Sequence, residues 1–258
     1  MLFRSPTNLI LASGLAISKD NSDKFYDRFR NRLIVPIHDM QGRVVAFGGR
    51  SLDGQEPKYL NSPESEIFEK GKMLFAFEKA SSNIRKRDKA IIVEGYFDVI
   101  ALHSKGISNS VASLGTALNK YQISQLCRCT DNKNIILNFD SDNAGISATK
   151  RVIKEVESLS LHDQINLKIL QLYDFKDPDE FLNSHTPEDY FNLIDNSSFW
   201  IDWEIDQIFK DKDLTKSENF QSVISSLVKL LSKLPQSSRS EEHTSELQSP
   251  MYLVCRLL

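Results

Sequence analysis

Cysteine is scarce in this sequence: only three of the 258 residues are cysteine, namely Cys127, Cys129 and Cys255. Three cysteines give no disulfide framework, and no Cys/His cluster has the spacing of a zinc site. This usage is typical of a protein that works in a reducing compartment.

The sequence also lacks an excess of charge and a long apolar run. The formal net charge is −3, so any nucleic-acid surface would have to be local. The apolar stretch near the start, MLFRSPTNLILASGL, is too short to span a membrane and carries no small-residue cleavage site in the usual form. We therefore predict a soluble protein that is not secreted.

What the sequence does contain is a central region, residues 90–171, in which apolar strands alternate with helical patterns. The strands are predicted at 90–94, 109–113, 134–139 and 165–170, and the helices at 97–105, 119–129 and 144–158. Strands separated by helical segments of about ten residues indicate right-handed βαβ units and a parallel sheet.

The flanking regions follow other patterns. Before the central region we predict the end of a helical segment in residues 1–24, then elements at 28–50 (a β-hairpin), 58–63 (a loop), 69–80 (a short helix) and 85–89 (a charged linker). After it, the chain is predicted to be all-helical from about Pro187. Arg239 to Leu258 matches a translated sequencing adapter, so we expect an assembly artefact there and a helical subdomain truncated at that point.

Carboxylates follow the predicted strands of the central region. Glu94 ends the first strand and Asp98 lies one helical turn later, while Asp140 and Asp142 follow the strand at 134–139. Asp177 and Asp179 come after the last strand. Because the carboxyl ends of parallel strands meet at one edge of a sheet, we interpret these acids as one metal-binding cluster. Close like charges repel, and a cation is the usual compensation.

Simpler interpretations of these acids exist. Asp98 and Asp142 could be helix caps, and Asp177-Pro178-Asp179 could be an ordinary turn. For an isolated Asp-x-Asp pair the simpler interpretation is preferred. Acids at three successive strand ends, however, favour the interpretation as a metal-binding cluster.

The predicted hairpin at 28–50 is rich in basic residues. They could be solvated charges that keep strand edges from aggregating, or they could form a phosphate-contacting surface. Gly48-Gly49-Arg50 favours the second interpretation, since glycines allow close backbone approach and arginine grips phosphate with two donors.

Several motifs in order resemble the TOPRIM domain and, more narrowly, the bacterial DnaG-type primase. They run from about Tyr26 to Leu234 and comprise YDRFRNRLIVPIHDMQGRVVAFGGR, PKYLNSPES, FEKG, VEGYFDV, VASLGTAL, NFDSDNAG and KDPDEF. The resemblance implies an α/β fold: a TOPRIM parallel sheet flanked by helices (89–180), a partial N-terminal basic α+β subdomain (1–88) and a helical subdomain (181–238).

The resemblance also implies the function and the site. A primase makes short RNA primers on single-stranded DNA from nucleoside triphosphates, in bacterial cytoplasm or plastid stroma. It implies catalytic roles for Glu94, Asp98, Asp140 and Asp142, and Mg²⁺ or Mn²⁺ held by Glu94, Asp140, Asp142, Asp177 and Asp179. The nucleotide and DNA would contact Arg28, Arg30, Arg32, Arg50, Lys58, Tyr59, Asn61 and Lys70.

The family has parts that we do not find in this sequence: a zinc-binding module, the first part of the basic subdomain and a domain that contacts the replicative helicase. We therefore expect a primase fragment with weak or no priming of its own. Two alternatives stay open. A TOPRIM nuclease or topoisomerase would cleave DNA, and a non-enzymatic fragment would only bind metal and DNA.

Overall fold

The fold is described by a computed structural model that covers residues 5–19, 25–159, 164–172, 174–210 and 212–232. The tail at 239–258 and the last part of the helical subdomain lie outside these residues. Within them, no helix is both long enough and apolar enough to cross a membrane.

The first part of the chain forms a short helix and two small antiparallel sheets. The elements are α1 (Thr7–Ala12), β1 (Ala16–Ser18), β2 (Phe25–Asp27), β3 (Arg32–His38), β4 (Val44–Ser51) and β5 (Tyr59–Asn61). Strand β1 pairs with β2 in one sheet, and β4 lies between β3 and β5 in the other.

The predicted hairpin at 28–50 is present as β3 and β4. The turn between them is fixed by Asp39, whose Oδ1 accepts the backbone N–H groups of Gln41 and Arg43 at 2.9 Å each. The loop predicted at 58–63 is partly wrong, because β5 pairs with β4. Three residues are too few to show a strand period in the sequence, so only tertiary pairing reveals this strand.

The helix predicted at 69–80 begins too early, and the linker predicted at 85–89 is wrong in its first three residues, which belong to a helix. A 3₁₀ turn spans Lys70–Lys72, and α2 runs from Phe77 to Arg87. Phe75 instead forms an antiparallel bridge with Ala112, donating to its carbonyl at 2.8 Å, and Ala76 adopts φ +62°. This pairing prevents a helix from starting earlier.

The central region forms a five-stranded sheet in the order β10 (Ser198–Phe199), β9 (Asn166–Ile169), β8 (Asn134–Asn138), β6 (Ala90–Val93) and β7 (Ser110–Ala112). Four strands are parallel, as predicted, and β10 pairs antiparallel with β9. The elements are β6 (Ala90–Val93), α3 (Tyr96–Ser104), β7 (Ser110–Ala112), α4 (Lys120–Cys127), β8 (Asn134–Asn138), α5 (Asn143–Glu157), β9 (Asn166–Ile169) and α6 (Pro178–Ser184).

The remaining described elements are α7 (Pro187–Asp195), β10 (Ser198–Phe199), α8 (Trp200–Phe209) and α9 (Ser217–Ser232). Helix α7 begins at Pro187 as predicted, with Thr186 as its N-cap. The prediction of an all-helical region misses β10, whose two residues leave no period in the sequence.

The parallel sheet is buried on both faces, which explains its continuous apolar strands. Along β6, Ala90 and Ile92 pack into one core cluster, while Ile91 and Val93 pack into another. The second cluster also contains Ile37 of β3 and Ala46 of β4. This shared core holds the antiparallel sheet beside the carboxyl ends of the parallel strands.

Candidate active-site cleft

A cleft of about 510 Å³ lies between the antiparallel sheet and the carboxyl ends of the parallel strands. We call its acids the acidic wall: Glu94, Asp98, Asp140, Asp177 and Asp179. We call the cations supplied by the N-terminal part the basic wall: Arg28, Arg50, Lys58 and Lys70. Tyr59 and Asn61 line the same cleft.

Of the residues predicted for the site, three do not line this cleft. Asp142 is the exposed N-cap of α5, and its Oδ1 accepts N–H groups from Ala144 and Gly145. Arg30 is exposed, with its guanidinium 5.0 Å from the ring centre of Tyr26. Arg32 donates weakly, at 3.4 Å, to the carbonyls of Gly49 and Lys58.

Helix capping fixes part of the acidic wall. Asp98 Oδ2 accepts the N–H of Gly95 at 3.0 Å, and Asp177 Oδ1 accepts the N–H of Glu180 at 2.9 Å. The capping interpretation holds for both acids, and it leaves the second oxygen of each carboxylate without a cap partner. Capping sets the direction in which that second oxygen can bind a ligand.

Glu94 and Asp140 are brought together by the turn that follows β8. Glu94 Oε1 accepts the backbone N–H of Asp140 at 3.2 Å. A Cβ at Gly145 would collide with the carbonyl oxygen of Asp140 and would lie 2.9 Å from Glu94 Oε1. Only glycine therefore lets α5 begin this close beneath the two acids.

The electrostatics of the acidic wall favour protonation. Burial and repulsion from Asp140 raise the pKa of Glu94. Burial, and then Asp177 and other acids, raise the pKa of Asp98 to about 7. Burial, then Asp177 and Asp142, raise the pKa of Asp140, against the opposing effect of Lys176 and Lys58. Carboxylates that repel each other in this way are ready to bind a cation.

The basic wall is held by contacts between distant parts of the chain. Arg28 donates through Nε and an Nη to the carbonyl of Asn61, at 3.2 and 3.1 Å. Asn61 donates to the carbonyl of Leu114 at 2.9 Å and accepts the hydroxyl of Tyr96 at 2.8 Å. Both polar ends of the Asn61 side chain are thus hydrogen-bonded to the region of the parallel sheet, and they connect β5 to that region.

Aromatic rings support the remaining cations. The Arg50 guanidinium lies 4.8 Å from the ring centre of Phe97 and 6.0 Å from that of Tyr59. The Lys58 ammonium lies 5.6 Å from the Tyr59 ring centre. Such contacts orient a cation without neutralising it, so both charges can still bind an anion.

Sequence reasoning missed one cation of the cleft. Lys176 lines it beside Asp177, and its charge lowers the pKa of Asp140. Its place directly before Asp177-Pro178-Asp179 could have identified it. With the basic wall, the cleft contains five cations and five carboxylates.

Comparisons with known proteins agree with this geometry. Residues 4–81 match the family described as the DNA primase catalytic core, N-terminal domain, and residues 91–182 match the Toprim-like family. A crystal structure of a DNA primase domain from Pseudomonas aeruginosa is 35% identical, with a TM-score of 0.77 over 88% of this chain and 70% of that one. The chain belongs to the DNA primase family.

Other primases are similar over the same region. The DNA primase of Synechococcus elongatus is 52% identical over 232 residues, which are 90% of this chain and 33% of that protein. A DnaG primase catalytic domain solved with single-stranded DNA is 30% identical, with a TM-score of 0.76 over 97% of this chain and 76% of that one. The chain spans about a third of the length of the curated primases it matches.

Proposed function

We propose that this chain belongs to an enzyme that makes short RNA primers on single-stranded DNA during replication, by metal-dependent nucleotidyl transfer. The observation that carries the proposal is the single cleft in which a basic wall faces an acidic wall. A triphosphate needs cations, and the metal that accompanies it needs carboxylates. The similarity to a primase domain bound to single-stranded DNA supports the choice of template.

The donor set fits a divalent metal ion that is completed by substrate. Within the described residues, no three His, Cys, Asp or Glu side chains come close enough to hold an ion by themselves. Mg²⁺ usually takes one or two carboxylates together with substrate phosphates. One or two of the carboxylates Glu94, Asp140 and Asp177 would hold the ion together with phosphate oxygens of the substrate, and Asp142 and Asp179 would contribute from the rim. When bound, the metal would polarise the phosphoryl group and activate the attacking hydroxyl.

The residues of the chain supply binding, orientation and a proton acceptor. Arg50, Lys58 and Lys70 would bind the triphosphate, since cations there lie opposite the acids. Glu94, with its raised pKa, would position the metal or take the proton of the primer 3′ hydroxyl. Pyrophosphate would then leave along the basic wall.

The remaining contacts are proposed on the same basis. Tyr59 offers an exposed ring on which a base can stack. Arg28, Arg30 and Arg32 would continue the track for template backbone. For the whole protein we propose that a replicative helicase is a further partner, and that the division at 88/89 and 180/181 separates functional units.

Metal-dependent nucleotide binding tests the proposal. We expect the chain to bind ATP in the presence of Mn²⁺, measured by calorimetry, and binding to disappear with EDTA. Asp140→Asn should weaken Mn²⁺-dependent binding by at least about tenfold, because it removes one negative metal ligand. Asp206→Asn, an exposed acid on α8, is the matched control.

Asp140 and Asp142 are two residues apart in the sequence, but only Asp140 lines the cleft. Asp142→Asn can still cap α5 through its amide oxygen, and its side chain does not line the cleft. We expect a smaller loss of ATP affinity than for Asp140→Asn. ATP binding that is indifferent to Mn²⁺ and to Asp140→Asn would refute the proposed site.

A further inference from the structure

The end of β8 is joined to the chain that follows β9 by two side-chain hydrogen bonds. Asn138, the last residue of β8, donates through Nδ2 to the carbonyl of Leu170 at 3.3 Å. Ser141 donates through its hydroxyl to the carbonyl of Leu172 at 3.1 Å. The backbone N–H of Leu170 donates to the carbonyl of Leu137 at 2.8 Å. The two side chains therefore continue the connection past the pairing of the strands.

Asp140 of the acidic wall lies between these two donors in the chain. Burial, and then the charge of Asp177, raise the pKa of Asp140, and both acids line the cleft. Like charges this close repel each other when no cation compensates them. The hydrogen bonds of Asn138 and Ser141 restrain the end of β8 against that repulsion.

The acceptors of these bonds are connected to Asp177. The carbonyl of Leu172 also accepts the N–H of Phe175 at 3.1 Å. The ring of Phe175 packs edge-on against that of Phe181, with 5.2 Å between the ring centres. Phe181 belongs to α6, and Asp177 is the N-cap of that helix. These contacts place Asp177 relative to the end of β8.

A tyrosine of α7 holds the first of the two donors. Tyr190 is fully buried, and its hydroxyl donates to Asn138 Oδ1 at 2.7 Å. Asn138 is itself 2% exposed. Because its amide oxygen accepts from Tyr190 while its amide nitrogen donates to Leu170, the plane of the Asn138 side chain is fixed at both ends.

We propose that Asn138, Ser141 and Tyr190, which we call the brace, are positioning residues that fix the separation of Asp140 and Asp177 and thereby favour a small divalent ion. Mg²⁺ requires a near-ideal octahedron of oxygens at about 2.0–2.1 Å, whereas Ca²⁺ accepts a flexible geometry at about 2.3–2.6 Å. Carboxylates held at a fixed separation therefore suit Mg²⁺, and carboxylates free to move suit Ca²⁺. This inference rests on the proposed function, whose metal site it refines.

A brace that served only the fold would behave differently in two ways. Its loss would lower the stability by the same amount whatever the charge of the two acids. Its loss would also weaken binding of a nucleotide to the same extent with every ion. Both differences can be measured.

Asn109 provides the matched control. It is 1% exposed, and its Nδ2 donates to the carbonyl of Lys89 at 2.8 Å. It precedes β7, at the amino ends of the parallel strands, and it does not line the cleft. Asn109→Ala therefore removes a buried amide–carbonyl hydrogen bond of the same kind, far from the acidic wall.

The first measurement is thermal melting of the full chain at pH 8 in EDTA, which needs neither metal nor nucleotide. Asn138→Ala should lower the melting temperature by about 4–8 °C, since it leaves the buried Tyr190 hydroxyl unpaired. In an Asp177→Asn background, which keeps an oxygen for the N-cap, this loss should be at least about 2 °C smaller, because the repulsion is gone. The loss for Asn109→Ala should be the same in both backgrounds.

The second measurement compares the affinity for ATP with Mg²⁺ and with Ca²⁺, by calorimetry. Asn138→Ala and Tyr190→Phe should each weaken binding about tenfold with Mg²⁺, as is usual for residues that orient a metal ligand. With Ca²⁺ the loss should be no more than about threefold, because that ion tolerates a flexible site. Asn109→Ala should keep the ratio of the two affinities within about twofold of the wild-type ratio.

Equal losses of melting temperature in both backgrounds, or an unchanged ratio of affinities in the brace variants, would overturn the inference. If Asn138→Ala does not fold, Tyr190→Phe and Ser141→Ala, which each remove a single hydroxyl oxygen, take its place in both measurements, and the same outcomes decide. A wild-type chain that binds ATP with neither ion would remove the proposed function, and the melting measurements would then decide on the brace by themselves.

Discussion

Two carboxylates of the cleft, Asp98 and Asp177, are fixed by contacts within a few residues of themselves, whereas Arg28 on the opposing wall is fixed by a contact across the chain. Asp98 accepts from Gly95, and Asp177 from Glu180, each three residues away. Arg28 donates to the carbonyl of Asn61, 33 residues away. These two acids are therefore placed by local capping, whereas Arg28, like the contact of Glu94 with the Asp140 N–H, depends on the tertiary fold.

This contrast has an electrostatic counterpart. Burial and mutual repulsion raise the pKa values of three carboxylates of the acidic wall. Arg50 and Lys58, across the cleft, contact aromatic rings. Repulsion within the acidic wall therefore costs stability when no cation is bound, and the following predictions compare the two walls.

The largest effect is expected for Asp98→Asn. The pKa of Asp98 is about 7 in the folded chain and about 4 in an unfolded one. Between these values the unfolded chain has released a proton that the folded chain still holds. Stability is therefore lost as pH rises from about 4 to about 7. Asparagine keeps an oxygen for the Gly95 N–H but cannot titrate, so the variant should lose less stability over this range.

The measurement is urea unfolding in EDTA at several pH values. The difference between wild type and Asp98→Asn should change by up to about 4 kcal/mol, at about 1.4 kcal/mol for each pKa unit. Adding Mg²⁺ should reduce this pH-dependent difference in the free energy of unfolding. Asp131→Asn, at an exposed position outside the cleft, should follow the wild-type curve. Parallel curves for wild type and Asp98→Asn would show that Asp98 is ionised in the metal-free fold.

A smaller effect is expected for Lys58→Ala on the basic wall. Lys58 is exposed and lines the cleft, close enough to lower the pKa of Asp140. Removing it should weaken ATP binding by roughly 10- to 100-fold, the usual worth of one charge-assisted hydrogen bond. Folding should be unaffected. Calorimetry at two salt concentrations checks this, with Lys105→Ala after α3 as the control; equal affinities for both variants would contradict it.

The smallest effect distinguishes two neighbouring arginines. Arg28 donates twice to the Asn61 carbonyl, so Arg28→Ala should lower the free energy of unfolding by about 1–2 kcal/mol. Arg30 is exposed and rests only against Tyr26, so Arg30→Ala should change it by less than about 0.5 kcal/mol. Chemical denaturation compares them. A larger loss for Arg30→Ala would show that distant contacts do not hold the basic wall.

The same contrast explains what the sequence could predict. The four parallel strands and their terminal acids follow from short apolar runs and the residues directly after them, and this part of the prediction is confirmed. The convergence of Glu94, Asp98, Asp140 and Asp177 on one cleft follows from parallel topology alone. Local patterns are sufficient where the structure itself is local.

Elements that depend on distant partners could not be predicted in this way. The strand β5 exists because β4 lies beside it, and α2 starts late because Phe75 pairs with Ala112. The role of Asn61 in joining the walls depends on Leu114, 53 residues away.

The bridge between Phe75 and Ala112 also protects the sheet. β7 is an edge strand, and the backbone of Phe75 covers part of its outer side with two hydrogen bonds, at 2.8 and 3.4 Å. An uncovered edge can pair with the edge of another copy and begin aggregation. A piece of this chain that started at residue 89 would keep every acid of the cleft and would expose that edge, so the first 88 residues also cover a strand that could otherwise pair with another copy.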